Sequence, residues 1–283
     1  VTDKGYFNTP SIDDSGIIYA ATSHGYIYAY DISNNGENKW TTTPLNINDA
    51  SLSTISIGSD DNIYVTSSEG INIIDSSNGE LLWKYFIDLS GLSVNDGNYN
   101  STPTIDANNN VYFGGRDSYL YSIDGVNRQI NWRYKAGGAI QSTPIINSNQ
   151  HIYFTDNIGF LYDLCGNSVN PATTTPIVPM HMINQSHNGI SSYKSPTSEP
   201  DISWSLPFIS SNLYVLPSIA IDSFGIMYIG SNDGYLYAFD SISGIETWRL
   251  SLVTAGVTLQ TSPDSLYTTC LLSPDGTIFV GSK

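Results

Sequence analysis

Residues 217–248 read PSIAIDSFGIMYIGSNDGYLYAFDSISGIETW, and this stretch decides the fold class. Its short apolar runs are separated by the turn dipeptides Phe224-Gly225, Asp233-Gly234 and Ser243-Gly244. Because glycine readily adopts the positive φ that tight hairpin turns need, three such turns predict four antiparallel strands. Turns that recur at intervals of about 8–12 residues are typical of an all-β sandwich, barrel or propeller.

The predicted third strand of this stretch, YLYAFD at residues 235–240, is apolar on both of its faces. Aromatic side chains alternate there with leucine and alanine, so both faces need cover from other elements. The chain shows no helical 3.6-residue pattern that could provide it. Other sheets must cover both faces, which predicts radially repeated four-stranded sheets rather than a linear β-solenoid with its shorter repeats.

The same pattern recurs along the chain and is marked by five tryptophans, separated by 43, 49, 72 and 44 residues. The repeat-defining residues are Tyr19, Trp40, Tyr64, Trp83, Tyr112, Trp132, Tyr153, Trp204, Tyr228 and Trp248. Each tyrosine is followed after 10 to 12 residues by an acidic residue, namely Asp31, Asp75, Asp124, Asp163 and Asp240. These spacings predict five full units and a sixth that begins with Phe279 in the tyrosine position.

We therefore predict one all-β domain, a β-propeller of four-stranded antiparallel blades, six-bladed with the last blade incomplete within the chain. The predicted units span about 5–46, 50–95, 99–137, 139–207, 213–252 and 261–283. A proline-rich loop insertion at 166–201 lengthens the fourth unit and should project from the propeller. A loop of this length is either a surface excursion or an arm that contacts a partner.

Two copies of the unit, residues 101–132 (STPTIDANNNVYFGGRDSYLYSIDGVNRQINW) and 217–248, resemble the PQQ-like repeat. This repeat occurs in quinoprotein alcohol dehydrogenases and in the propeller lipoprotein of the bacterial outer-membrane assembly machine. The resemblance covers nearly the whole chain and implies the propeller fold. It implies little about activity, because the same repeat serves both enzymes and scaffolds.

The resemblance offers one enzymatic alternative, a quinone-dependent dehydrogenase. Those enzymes resemble one another in having eight blades, adjacent cysteines beside the cofactor and a calcium site with a catalytic aspartate. Cys165 and Cys270 lie far apart in this sequence, and the chain is short for eight units. We therefore predict a non-catalytic member of the family, with no catalytic residue, no cofactor and no metal ligand.

Other combinations of reactive residue types are unspecific. His181 and His187 lie with two methionines in the insertion and would suit copper or zinc, but no further ligand follows at a fixed offset. His24 is predicted in a turn and His151 beside a strand. Residues 60–62 and 273–276 resemble calcium loops slightly, yet they coincide with predicted turns, which favour the same residue types. The two cysteines are predicted to be isolated, with a single disulfide as the alternative.

The balance of 10 Lys and Arg against 26 Asp and Glu gives a net charge of −16. Such a charge disfavours nucleic acid and anionic lipid surfaces, and no apolar run is long enough to insert into a membrane. The chain begins at Val1 rather than Met, which suggests a removed leader or a part of a longer product. The composition favours a secreted protein, in which Asn100 and Asn184 would be glycosylation acceptors.

These observations predict a non-enzymatic extracellular or cell-surface propeller that acts as a protein-interaction or structural scaffold. Its expected partners are another protein or copies of itself. The alternative is a polymerising subunit of an extracellular filament or surface layer. The incomplete sixth unit motivates that alternative, because an open strand edge is a template for pairing between subunits.

Overall fold

The computed structural model describes residues 5–45, 52–90, 101–166, 191, 196, 198–207, 219–231, 233–251, 270–273 and 275–280. These residues form five four-stranded antiparallel sheets and one two-stranded sheet, which we call blades one to six in chain order. Within them, helix is limited to one 3-10 turn at Ile32–Asn34. The predicted all-β class with four-stranded antiparallel blades is confirmed, and the total of six blades stays a prediction.

Each full blade is a simple meander whose strands pair in chain order. Blade one contains β1 (Ser11–Ile12), β2 (Ile17–Ala21), β3 (Ile27–Asp31) and β4 (Glu37–Thr41), and blade two contains β5 (Ser56–Ile57), β6 (Ile63–Ser67), β7 (Gly70–Ile74) and β8 (Leu81–Phe86). Blade three contains β9 (Thr104–Ile105), β10 (Asn110–Gly114), β11 (Tyr119–Asp124) and β12 (Gln129–Lys135). Blade four contains β13 (Ile145–Ile146), β14 (Ile152–Thr155), β15 (Phe160–Cys165) and β16 (Asp201–Pro207). Blade five contains β17 (Ala220–Ile221), β18 (Ile226–Gly230), β19 (Tyr235–Asp240) and β20 (Glu246–Ser251), and blade six contains β21 (Leu271–Leu272) and β22 (Ile278–Phe279).

The turns have the geometry that the glycines indicate. In blade five, Gly225, Gly234 and Gly244 take φ values of 81°, 84° and 71°. Where the first turn of a blade lacks glycine, Asp61, Asn109 and Gln150 take the same left-handed conformation, with φ of 60°, 63° and 64°. Aspartate and asparagine tolerate this region better than most residues, so the turn keeps its shape without glycine.

The core consists of apolar clusters between consecutive blades, as expected for strands that are apolar on both faces. Ile27 and Ala29 of blade one pack against Ile63 and Val65 of blade two. Equivalent clusters join blades two and three, three and four, four and five, and five and six. Sheets therefore cover one another face to face, and burial of these side chains is the main stabilising contribution of each junction.

Hydroxyl groups of the first strands add hydrogen bonds between consecutive blades. The donor–acceptor pairs are Ser11 Oγ with Ile55 O (2.6 Å), Ser56 Oγ with Pro103 O (2.5 Å) and Thr104 Oγ1 with Pro144 O (2.6 Å). Each donor is buried, and each acceptor directly precedes the first strand of the next blade along the chain. Because a buried hydroxyl needs a partner, these bonds fix the register of one blade against the next.

Candidate protein-binding rim

The repeat-defining tyrosines and tryptophans flank the third strand of each blade at one rung of the sheet. In blade one, Ala29 pairs with Tyr19 on one side and with Trp40 on the other. The same rung contains Ile73, Ser122, Asp163 and Ala238 in blades two to five. A register shift follows directly after the rung in each of the five four-stranded blades, so the fourth strand carries one extra residue there. The regular spacing of tyrosine and tryptophan in the sequence thus reflects one rung of paired residues, with its bulge, that recurs from blade to blade.

In four of the five rungs the two rings pack over the central residue. The ring centroids are 5.9 Å apart in blade one, 5.7 Å in blade three, 6.2 Å in blade four and 5.8 Å in blade five. Blade two differs, because Trp83 stacks on Tyr85 of its own strand at 6.0 Å. Isoleucine at this rung is bulkier than the alanine or serine of blades one, three and five, which accounts for the difference.

Three of the tryptophans also connect their blade to the next one. The indole Nε1 of Trp40 donates to Ser76 O (2.9 Å), that of Trp132 donates to Pro196 O (3.1 Å), and that of Trp204 donates to Ile242 O (3.0 Å). The rings of Trp40 and Trp204 lie so close to Gly79 and Gly244 that a Cβ there would approach the ring within 2.8 Å. These tryptophans are therefore structural joints between blades and have no spare polar group for chemistry.

The hydroxyl groups of the repeat-defining tyrosines are also engaged in structural hydrogen bonds. Tyr19 donates to Asp13 (2.9 Å), Tyr64 to Asp60 (2.9 Å) and Tyr228 to Asp222 (2.7 Å), each aspartate lying in the first turn of the same blade. Burial, together with the neighbouring carboxylates, raises the pKa of these three phenols well above the usual value. They stay protonated in any physiological buffer and act as hydrogen-bond donors that hold the turns.

The predicted series of acidic residues is wrong in the fourth unit. Asp31, Asp124 and Asp240 end a third strand and Asp75 directly follows one, two residues after the rung in each case, but the residue at that place in blade four is Cys165. Asp163 lies two residues earlier, at the rung itself, where it is fully buried between Tyr153 and Trp204. Its spacing of 10 residues from the tyrosine, against 11 or 12 elsewhere, was the signal that could have revealed this.

The buried Asp163 carboxylate is paired with His151, which the sequence placed only beside a strand. The imidazole Nδ1 lies 2.7 Å and 2.8 Å from the two carboxylate oxygens, and the ring stacks on Tyr153. Burial raises the pKa of Asp163, while the hydrogen bonds from His151 and Ser203 lower it in part. A histidine–carboxylate pair can move a proton, but both carboxylate oxygens face the same imidazole nitrogen, so its arrangement suits a structural ion pair.

Among the remaining candidates, His24 lies in the second turn of blade one, as predicted. Cys165 and Cys270 are free thiols, and burial raises the pKa of Cys270 to about 12, which makes it a poor nucleophile. Asp60 accepts hydrogen bonds from Asn62 and Tyr64, as a turn residue does. In the described ranges no group of three or more His, Cys, Asp or Glu is placed to hold a metal ion. Asn100, Asn184, His181 and His187 lie outside the described residues.

The meander topology distributes the charged residues unequally between the two edges of the blades. We call the edge formed by the turns between strands one and two and between strands three and four the acidic rim. It carries Asp13, Asp14, Asp31, Asp60, Asp61, Asp75, Glu80, Asp106, Asp124, Asp222, Asp240 and Asp275, together with one cationic residue in these turns, Arg128. The opposite edge carries Lys84, Arg116, Arg133, Lys135 and Arg249 near its turns, together with Glu69, Asp117, Asp156 and Asp233. The acidic rim therefore dominates the net charge of the described residues.

Blade five adds an apolar patch to this acidic rim. Phe224 is 87% exposed, and Ile242 and Ile245 are each 66% exposed. The turns that hold Phe224 and Ile242 are joined by a hydrogen bond from Ser241 N to Gly225 O, so the three side chains belong to one surface. At the place of Phe224, the other first turns have Ser15, Asp60, Asn108, Asn149 and Asp275. Phe224 is therefore the apolar exception among the first turns, whereas Ile242 has an exposed apolar counterpart in Val126 of blade three. A cluster of exposed apolar side chains is a candidate for a binding surface.

Part of the insertion packs against blade three rather than projecting from it. Pro196 O accepts from Trp132, and Ser191 N donates to Ile105 O at 2.6 Å. Ser191 and Pro196 are both buried. The projection was predicted for the whole insertion at 166–201, of which residues 167–190, 192–195 and 197 lie outside the described part of the chain.

The meander blades, the repeated rung and the tryptophan joints define a β-propeller of PQQ-like repeats. A family model described as outer membrane protein assembly factor BamB (PQQ_2) matches residues 3–168, more than half of the 283-residue chain. The chain belongs to this family. No curated protein matches the sequence significantly.

Solved structures agree on the fold. BamB from Moraxella catarrhalis is 17% identical over 98% of this chain and 85% of its own, with a TM-score of 0.53. The computationally designed Ika8 protein is 12% identical over 97% of this chain and 70% of its own, with a TM-score of 0.61. The β-propeller domain of Myceliophteria thermophila Cps50 (Swd1) is 11% identical over 87% of this chain and 73% of its own, with a TM-score of 0.57. These likenesses confirm the predicted propeller.

Within the parts of the chain that the structure describes, the 3-10 turn at Ile32–Asn34 is the only helix. The described residues thus contain no helix that is long and apolar enough to cross a membrane.

Proposed function

We propose that this chain is a non-enzymatic propeller that serves as a protein-interaction scaffold. The observation that carries the proposal is the apolar patch of Phe224, Ile242 and Ile245 on the acidic rim. Exposed apolar side chains cost solubility and contribute nothing to the blade, whereas they supply the buried centre of a protein interface. Aromatic residues at such a centre carry a large share of binding energy, so Phe224 is the expected anchor.

The chemistry of the rim supports a scaffold rather than an enzyme. The tyrosine hydroxyls donate hydrogen bonds to the turn aspartates, and the tryptophan indoles donate hydrogen bonds to carbonyl groups of the next blade. A catalytic group has to meet substrate with a free nucleophile, acid or base, and these groups are engaged in the fold. A quinone-dependent dehydrogenase stays the enzymatic alternative. Dye reduction on addition of quinone and calcium would support it.

We place the scaffold at the cell surface or outside the cell. The matched family description refers to the outer membrane, and the acidic, lysine-poor composition is compatible with that setting. Fractionation of the source cells, followed by detection of the chain with an antibody, tests the location. Recovery with cytosolic marker proteins alone would contradict it.

Site-specific crosslinking tests the scaffold proposal. A photoreactive phenylalanine analogue replaces Phe224 in one variant and Val126 in a matched control, because Val126 is also an exposed turn residue but lies in blade three. We expect a discrete protein adduct at position 224 that excess wild-type chain suppresses. Excess chain with Phe224→Ser, Ile242→Ser and Ile245→Ser should leave the adduct unchanged. Equal adducts at both positions, or none at position 224, would count against the patch as a partner site.

A second candidate function is self-assembly by strand complementation. Blade six contains only β21 and β22 among the described residues, and Leu271 and Phe279 are exposed there. On blade one, Tyr28 and Phe7 lie together at 5.4 Å, and Phe7 is exposed. An open strand edge with apolar neighbours is a template for added strands. Light scattering of the purified chain as a function of concentration tests this. A mass that stays that of a monomer at every concentration would exclude polymerisation.

A further inference from the structure

A pocket of about 240 Å³ opens on the acidic rim between blades five and six, directly beside the apolar patch. Phe224 and Tyr228 of blade five and Leu272 of blade six form part of its wall. Tyr228 and Leu272 are buried, whereas Phe224 is 87% exposed and belongs to both the wall and the patch. The volume is smaller than that of most small-molecule sites and suits one bulky side chain. The pocket and the patch therefore form one continuous surface.

Gly276 is the residue that leaves the pocket open. Its φ is 85°, and a Cβ added there would meet no other atom within 4 Å. Asn109 occupies the equivalent place in blade three, since each lies three residues before the residue in the tyrosine position. The Asn109 side chain donates to Tyr64 Oη at 2.9 Å and accepts from Ser59 N at 3.2 Å. An asparagine thus fills the junction between blades two and three at the place where blade six has no side chain.

Blade five retains the groups that such an asparagine would contact. Tyr228 and Ser223 are the repeat equivalents of Tyr64 and Ser59, and both line the pocket. Tyr228 Oη donates to Asp222 at 2.7 Å, and in the described part of the chain it accepts no hydrogen bond. The pocket is therefore the space of one missing side chain, and its wall offers apolar contact together with a phenolic acceptor.

The carboxylates around the pocket and the patch have no ion-pair partner among the described residues. Asp222, Asp240 and Asp275 lie in the turns of this part of the acidic rim. Arg249 is the only Lys or Arg in the described residues of blades five and six. It pairs with Glu246 at 3.4 Å and reaches over the Tyr235 ring, towards the opposite edge of the blade. A cationic segment would therefore be attracted to this surface, and an anionic one repelled.

The larger crevice between blades one and two lacks this combination. Ser15 stands there in the place of Phe224, and the apolar side chains in its wall are buried. Lys39 lines the same crevice and supplies a cation beside its carboxylates. Only the junction of blades five and six, among the described junctions with such an opening, joins an exposed aromatic ring to a pocket without a cation.

We infer that the pocket between blades five and six receives one bulky apolar side chain from a segment of a partner protein that carries Lys or Arg on both sides of it. The inference rests on the proposed scaffold function and names the kind of segment that the patch binds. The open pocket beside Phe224 requires the apolar side chain, and the rim aspartates favour the cations. A second copy of this chain fits less well, because its net charge of −16 repels the acidic rim.

Short capped peptides test this inference on the purified full chain. The probe is acetyl-Lys-Ser-Phe-Ser-Lys-amide. One control peptide has alanine in place of phenylalanine, and the other has glutamine in place of both lysines. NMR titration at about 0.05 M salt measures the affinities with little screening of exposed charges.

We expect the probe to bind the wild type and the alanine peptide to bind about tenfold more weakly, because it cannot fill the pocket. The glutamine peptide should bind about threefold more weakly, since exposed ion pairs contribute little each. Absence of binding of the probe, or equal affinity of all three peptides, would overturn the inference.

Substitutions in the chain locate the site. Gly276→Asn should fill the pocket as Asn109 fills its own junction, and it should weaken binding of the probe about tenfold. Gly36→Asn is the matched control, because Gly36 has a φ of 72° and open space around its Cβ position but lies in blade one. It should leave the affinity within about twofold. Equal affinities of the two variants would overturn the pocket as the site. The peptide series uses the wild type alone, so it decides the inference even if Gly276→Asn does not fold.

The crosslink at position 224 and the peptide titrations can fail separately. An adduct at position 224 without binding of the probe would overturn the inference and leave the scaffold proposal intact. An adduct that consists of two copies of this chain would identify the occupant as a second copy and overturn the cationic segment. Binding of the probe that Gly276→Asn weakens, without an adduct at position 224, would support the inference and count against the scaffold proposal.

Discussion

Blades three and four differ in the side chains that form the buried hydrogen-bond network at the rung between tyrosine and tryptophan. In blade three the rung residue Ser122 bonds to Asn131, which also bonds to Asn110, so these three positions hold only neutral side chains, and Asn110 in turn donates to the Asp106 carboxylate. In blade four the same three positions are Asp163, Ser203 and His151, and the network contains a buried carboxylate with its imidazole partner. Blade five uses Ala238 and Ile226 at two of these positions. The rung therefore accepts apolar, polar or ionic groups, provided that every buried polar atom is bonded.

The comparison indicates that the histidine–aspartate network of blade four is more sensitive to single substitutions than the network of blade three. A buried ion pair gains little over an apolar or neutral replacement, because the cost of desolvating both charges offsets their attraction. Removing one partner, however, leaves a charge without compensation. Blade four should consequently respond to single substitutions far more strongly than blade three.

The largest effect is expected from His151→Ala, which leaves the fully buried Asp163 without its counter-ion. We expect a loss of about 3 kcal/mol in the free energy of unfolding at neutral pH. The control in blade three, Ser122→Ala, removes a neutral hydroxyl from the rung and should cost about 1 kcal/mol. Urea denaturation followed by tryptophan fluorescence measures both. Equal losses in the two blades would contradict the distinction.

The effect of His151→Ala should depend on pH with a definite sign. Burial raises the pKa of Asp163 above its unfolded value, so its protonated form is the one that the fold favours. Stability from that form is present in acid and is lost as pH rises through the folded-state pKa. The deficit of the variant should therefore shrink towards acid pH. Adding Asp163→Ala should restore much of the stability at neutral pH, because alanine occupies this rung in blades one and five.

A smaller effect is expected where the tryptophan joint of blade four meets blade five. Gly244 has a φ of 71°, and a Cβ there would lie 2.8 Å from the Trp204 ring. Gly244→Ala combines backbone strain with overpacking and should cost about 2–3 kcal/mol. Gly36→Ala is the control, since its φ is 72° and nothing lies near the new methyl group. It should cost about 1 kcal/mol. Thermal unfolding that gave the same loss for both would show that the ring contact contributes nothing.

The smallest effect is expected from the indole hydrogen bonds themselves. Trp132→Phe and Trp204→Phe each remove one bond to a carbonyl of the next blade and retain an aromatic ring. We expect about 1–2 kcal/mol for Trp132, which is buried against the returning insertion, and about 1 kcal/mol for the more exposed Trp204. Hydrogen exchange of the residues near Pro196 distinguishes the two joints. Faster exchange there after the Trp132 change, and not after the Trp204 change, is the expected pattern.

Much of the fold could be predicted from the sequence because its signals are local. The turn glycines, the two-sided apolar strands and the spacing of tyrosine to tryptophan depend on residues that are close in the chain. The wrong position was Asp163, which a spacing rule with a tolerance of two residues could not separate from Cys165. A shift of two residues along a strand keeps the same face but changes the rung, and pairing across strands decides the rung.

The candidate surfaces were less accessible from the sequence. Phe224 differs from its counterparts when the first turns of all units are aligned, so the sequence does contain that signal. The contact of Ser191 and Pro196 with blade three joins residues that are far apart in the chain.

By itself, the sequence determined the repeat, the four antiparallel strands of each full blade and the requirement that sheets cover one another. These follow from side-chain alternation and turn chemistry, which act over a few residues. Only the tertiary structure decided which rung holds the buried ion pair, which residues meet across the junctions of the blades, and where the acidic rim lies. Those properties depend on contacts between strands and between blades, and the free energy of a buried charge is set by neighbours that the linear order does not reveal.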